Sequence, residues 1–176
     1  MIFSETPLAG ALVVEMKKLG DDRGFFARSY CADEFRAQGV ASPVLQCNVS
    51  FNLRKGTLRG MHFQVPPKPE AKLVRCTRGA IHDVIVDLRP ESPTYCRWHA
   101  VELTAANHRG LYIPHGFAHG FQTLADDCEV FYQMFELFSP EHARGVRWND
   151  LAFRIAWPLS VTSISEKDQS YPDYSA

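Results

Sequence analysis

The sequence predicts an all-β fold, an antiparallel sandwich or barrel with a few short helices, from three observations. Period-two alternation of apolar and polar residues dominates residues 44–138, turn residues interrupt it at short intervals, and convincing helical spacing is nearly absent. The segment 44–53 sets Leu45, Cys47, Val49, Phe51 and Leu53 on one face and Gln46, Asn48, Ser50 and Asn52 on the other, the pattern of a half-buried strand. Further strands are expected at 11–17, 57–64, 72–77, 80–88, 99–104, 110–113, 116–124 and 129–138. Lys55-Gly56, Pro66-Pro67, Arg78-Gly79, Pro90 with Pro93, Asn107 and Asp126-Asp127 turn the chain between them. One helix is expected at 32–38, with Asp33 starting its first turn and Gly39 stopping it. Beyond Pro140 the pattern loosens, so residues 140–176 are expected to wrap the sheets within one domain spanning 1–176.

Composition narrows the function classes. Nineteen basic against twenty acidic residues leave no cationic excess for nucleic acid. Residues 1–10 carry Glu5 and Pro7 and lack a basic leader or apolar core, and no apolar run reaches membrane-spanning length; the expectation is no signal peptide and no membrane partner. The five cysteines are scattered without paired spacing, which reads as buried free thiols in the cytoplasm. His115 and His119 lie four apart, but the glycines around them favour strand and loop over helix, and no His-x-His occurs, so no metal site is expected. A glycine-rich dinucleotide turn, a phosphate-binding loop and a nucleophile elbow are all missing.

Polar residues at inward parity are the informative ones. Lys72 shares parity with Val74 and Cys76, His119 with Phe117 and Phe121, and Tyr132 with Val130 and Met134. A buried ammonium without a partner is costly, and its economical use is to hold an anion or a polarised oxygen. Each residue alone has an ordinary structural explanation, but together on neighbouring strands they point to an internal polar pocket. Gly60 between Arg59 and His62 suggests a bulge that would bring both side chains to one cavity.

Several motifs in this order resemble the dTDP-4-dehydrorhamnose 3,5-epimerases: Arg23-Gly24-Phe25-Phe26, Gln46-Cys47-Asn48, the 58–64 segment LRGMHFQ, the 72–76 segment KLVRC, the 114–121 segment PHGFAHGF, Trp148-Asn149-Asp150 and Ser165-Glu166-Lys167-Asp168. The resemblance runs over nearly the whole chain. It implies a cupin-type jelly-roll β-barrel, a cofactor-independent isomerase, a nucleotide-diphosphate sugar as substrate, and a homodimer in which one subunit helps line the other's site. By the same resemblance His62 is the base, Asp168 its dyad partner, Tyr132 the acid on the other face of the sugar, and Lys72 the group that stabilises the enolate. Arg59 and His119 would touch substrate, Arg23, Gln46, Asn48 and Lys167 the nucleotide or diphosphate, and Phe138 the base; Phe26 is a further substrate contact. The chain departs from the family pattern at Arg28 and Ala143, where acidic residues are common, and His82 and His115 also replace other types. That leaves open the nucleobase, the exact sugar and whether C3, C5 or both are inverted. A ketoisomerase or a non-catalytic sugar-nucleotide binding module on the same fold are the alternatives.

Overall fold

The computed structural model of the chain describes residues 1–40 and 42–175. In order these form β1 (Ile2–Glu5), β2 (Leu12–Glu15), β3 (Lys18–Asp21), β4 (Gly24–Ala27), α1 (Ala32–Arg36), β5 (Gln46–Asn52), β6 (Leu58–Gln64) and β7 (Lys72–Arg78). There follow β8 (Ala80–Asp87), β9 (Trp98–Thr104), β10 (Gly110–Ile113), β11 (Phe117–Thr123), β12 (Cys128–Met134), β13 (Ala143–Gly145) and α2 (Glu166–Gln169). One sheet runs β1-β2-β10-β7-β12-β5 and a second β13-β6-β11-β8-β9, with β3 and β4 pairing as a separate hairpin. Neighbouring strands are antiparallel throughout. The all-β expectation therefore holds, in the form of two open facing sheets, since no ladder among the described residues joins them into a closed barrel.

Strand periodicity explains where the core sits. Val74 and Cys76 of β7 and Val130 of β12 turn inward and meet Ile81, Ile85, Phe117 and Phe121 of the opposite sheet. Phe117 and Phe121 are each 1 % exposed. Burying each phenylalanine contributes roughly 1.5–3 kcal/mol. The alternate residue Leu73 points outward and packs with Val14 and Tyr112 beneath Phe35 of α1. On the outside of the second sheet, Met61, Val84, Val86 and Ala118 are covered by Val146 and Phe153, so the tail does wrap the sheets.

Several expectations are corrected. Helix α1 is shorter than expected and begins after Cys31, which makes no side-chain cap; Asp33 lies inside its first turn and pairs with Arg36. The strand expected at 129–138 stops at Met134, because Phe135 turns under the α1 cluster and donates its N–H to Ala71 O instead of continuing the ladder. Strands β1, β3 and β4 escape periodicity: each has four residues, and β3 and β4 lie in the open with no buried face to impose alternation. In β5 the sequence alternates, but the apolar face is not the buried one. Val49 (60 %) and Phe51 (44 %) are exposed, while Asn52 on the polar face is 2 % exposed. Cys47 is exposed as well, whereas Cys76 and Cys128 are buried as expected.

Candidate active site

A cavity of about 370 Å³ opens between the sheets, and the inward polar residues converge on it. His62 of β6 and His119 of β11 are direct cross-strand partners. From the other sheet, Tyr132 of β12 pairs with Asn48 of β5 and Val74 of β7, and Lys72 opens β7 opposite Met134. Between His62 and Arg59 the β6–β11 register slips by one residue, the bulge that Gly60 foreshadows. Gly60 sits at φ +137°, and a Cβ there would lie 2.5 Å from the Gly120 Cα. Only glycine fits that backbone and that approach.

The base site is assembled from two ends of the chain. His62 Nε2 lies 2.7 Å from Asp168 Oδ1, and the Gly60 N–H donates to Asp168 Oδ2 at 3.1 Å. Asp168 is placed by α2, where Ser165 caps the helix by accepting the Asp168 N–H at 3.1 Å. Burial opposes ionisation of Asp168, but the hydrogen bond and charge of His62 and the Gly60 N–H hold its carboxyl below the ordinary aspartate value. A carboxylate fixed on one imidazole nitrogen leaves the other free to accept a proton.

The opposite wall carries the phenol. Burial pushes the Tyr132 hydroxyl well above the ordinary tyrosine value, the negative Asp83 adds to this, and Arg59 opposes it. The phenol therefore stays protonated and can donate. His119 stands edge-on to Tyr132, with ring centroids 6.1 Å apart, and its Nε2 lies 2.7 Å from Asp83 Oδ1. Arg59 is aimed by Asn52, whose Oδ1 accepts from Nε at 2.7 Å. Lys72, 4 % exposed, donates to Glu70 at 2.5 Å. Besides the histidines, the lining holds four cationic side chains (Arg59, Lys72, Arg144, Lys167) and one carboxylate, Glu70. Such a cavity attracts polyanions.

Ten of the twelve residues expected at the site come together. His62, Tyr132, Lys72, Arg59, His119, Asn48, Phe138 and Lys167 line the cavity, and Asp168 stands behind His62. Gln46 bridges the mouth, donating to Asn48 Oδ1 (3.0 Å) and accepting the Phe138 N–H (3.3 Å). Arg23 and Phe26 are elsewhere. They ride the β3–β4 hairpin, where Arg23 binds Asp21 and Phe26 is 75 % exposed, and neither lines the cavity of its own chain. Cys76 lies in the inter-sheet core and does not line the cavity, and burial pushes its thiol up to about 12. Sequence reasoning missed Asp83, Glu70, Asn52 and Tyr171. For Asp83 the signal was present, a carboxylate sharing inward parity with Ile81 and Ile85 on β8.

An imidazole–carboxylate pair, a protonated phenol and an ammonium around one open cavity between two antiparallel sheets are equipped to move protons next to a carbonyl, the chemistry of an isomerase. Comparison with known proteins agrees. The family profile described as dTDP-4-dehydrorhamnose 3,5-epimerase matches residues 5–176. The chain belongs to that family. A dTDP-4-dehydrorhamnose 3,5-epimerase of Sinorhizobium fredii is 43 % identical over 173 residues, covering 98 % of this chain and 89 % of the relative. The crystal structure of the Bacillus anthracis dTDP-4-dehydrorhamnose 3,5-epimerase with TDP and PPi bound superposes with a TM-score of 0.94 at 44 % identity, covering 98 % of this chain and 99 % of that one. A Legionella pneumophila epimerase in complex with dTDP-4-keto-L-rhamnose gives a TM-score of 0.89 at 33 % identity, covering 99 % of each chain.

Proposed function

We propose that this protein converts dTDP-4-dehydro-6-deoxyglucose to dTDP-4-dehydrorhamnose, a step of rhamnose biosynthesis, by inverting C3 and C5 through enolate intermediates. The observation that carries this reading is the cavity in which the His62–Asp168 pair, Tyr132 and Lys72 meet. A proton next to a ketone lies roughly a dozen pKa units above an imidazole, so His62 alone is too weak a base. Lys72, itself buried, supplies the remainder by holding the oxygen on which negative charge develops. His62 removes the proton, and Asp168 stabilises the imidazolium that forms. Tyr132 returns a proton from the other face. Its burial disfavours the phenolate and drives its recovery from solvent. Repetition at the second carbon completes the double inversion.

Arg59 and Lys167 bind the diphosphate, Asn48 and Gln46 the nucleoside, and Phe138, 59 % exposed at the mouth, stacks on the base. The protein works as a cytoplasmic homodimer, with residues 1–176 acting as one domain. Support for the dimer comes from Arg23 and Phe26, which stand on an exposed hairpin away from their own cavity, and from the bare Val49, Phe51 and Leu53 beside β5. The reading is tested by incubating the protein with dTDP-4-keto-6-deoxyglucose in deuterated water and following C3 and C5 by NMR. Deuterium with inversion at both carbons is expected. Absence of exchange at both would overturn the proposal.

A further inference from the structure

Lys72 is aimed inward by strand parity, but nothing in the periodicity says where its ammonium stops. The structure answers with a residue from the connection between β6 and β7. Glu70 is 7 % exposed, lines the cavity, and accepts from Lys72 Nζ through Oε1 at 2.5 Å. Among the described residues this is the only hydrogen bond that the ammonium makes. The remaining carboxylates near the cavity are occupied by imidazoles, Asp168 by His62 and Asp83 by His119.

We propose that Glu70 is a positioning residue for Lys72, fixing the ammonium so that its two remaining N–H groups meet the oxygen that becomes negative during proton removal. The inference rests on the epimerase reading above. A lysine carries its charge on a flexible four-carbon stem, and an unanchored ammonium swings toward water. An acceptor two residues earlier removes that freedom by holding one N–H. The tetrahedral nitrogen then presents the other two in fixed directions, so the stabilising charge needs no reorganisation when the enolate forms. What matters on this account is the location of the acceptor oxygen more than its charge, because a full negative charge at Glu70 also competes with the enolate for the same ammonium.

Two conservative variants separate location from charge. Glu70→Gln keeps an acceptor oxygen at the same reach and removes the charge, while Glu70→Asp keeps the charge and withdraws it by one methylene. The measurement is kcat and KM on dTDP-4-keto-6-deoxyglucose in deuterated water, with dTDP binding and thermal melting confirming that each variant is folded. Glu70→Gln is expected to stay within about threefold of wild type, and Glu70→Asp to lose about 10- to 100-fold in kcat with KM little changed, the scale of a catalytic group misplaced by about 1 Å. The reverse order, equal loss in both variants, a wild-type rate for Glu70→Asp, or a loss confined to KM would overturn the proposal. No exchange by the wild type would instead remove the epimerase reading on which the inference stands.

Discussion

Replacing Asp168 with asparagine tests the base assignment with little change of shape. The carboxylate has two calls on it, since Oδ1 faces His62 Nε2 and Oδ2 accepts the Gly60 N–H. Asparagine offers one oxygen. The Gly60 amide can only donate, so it claims that oxygen and leaves the NH2 group facing His62. Nε2 must then accept, the ring proton moves to Nδ1, and the lone pair needed for the sugar proton is occupied. In a catalytic triad the same exchange behind histidine costs about 10⁴-fold, or about 5.5 kcal/mol. Here the His62 side chain is 43 % exposed, so water can help to reorient the ring and share the positive charge. The expected loss is about 10²- to 10³-fold in exchange rate, or about 3–4 kcal/mol in barrier. The assay is the initial rate of deuterium entry at C3 and C5 at fixed pH, alongside a melting curve. A folded variant that exchanges within about threefold of wild type would refute the tautomer argument.

Further expectations follow from individual residues. Tyr132→Phe removes the proton donor but leaves His62 able to take a proton and return it, so deuterium should still enter the substrate without inversion; an inverted product by NMR would show that another acid serves. Asp87 is fully buried; burial opposes its ionisation, but hydrogen bonds from Arg89, Ser92 and Thr94 hold it at about 2 against an ordinary 3.8. A lowered folded value contributes stability that is complete above the unfolded value and is lost as pH falls from about 4 toward 2. Asp87→Asn should therefore cost about 2 kcal/mol at neutral pH and flatten that acid limb in urea titrations, and an unchanged limb would contradict the network. Lysine at both Phe51 and Leu53, exposed and outside the cavity lining, should shift the protein from dimer to monomer in sedimentation, with weaker dTDP binding through loss of the partner hairpin; a dimer of unchanged affinity would locate the interface elsewhere.

How far the sequence could be read depended on what each residue's environment enforces. Lys72, His119 and Tyr132 were visible because strands impose a two-residue rule, and a polar side chain at inward parity breaks it. Gly60 announced its bulge because a close backbone approach leaves no alternative residue type. Strand β5 misled for a physical reason. Its polar face runs from Gln46 and Asn48 at the cavity mouth to the buried Asn52, and its apolar face is left bare in the isolated chain. Glu70 and Tyr171 lie in connections without a period, so no local pattern carried them. Asp168 emerged only by resemblance, because its partner is 106 residues away and local sequence does not encode that distance.

That distance makes the tail part of the chemistry. The segment leading to α2 is tied to the sheets along its length: Leu159 exchanges two hydrogen bonds with the Gln122 side chain, Thr162 donates to Gly56 O, and Ser163 O accepts the Leu58 N–H at 2.8 Å. Beyond α2, Tyr171 closes over Gly145, where a Cβ would find no room, and its ring stands 6.1 Å from that of His62. Each tie lies on β6 or β11, on the turn before β6, or on β13 beside it, so the tail reads the positions of the strands that carry His62 and His119. A change at Gln122, fully buried on the strand that carries His119 and far in sequence from His62 and Asp168, would then act on proton transfer by loosening the approach of Asp168. The dyad therefore requires both the sheets and the docked tail. The cavity wall shares that dependence, since Lys167 and Tyr171 of the tail line it.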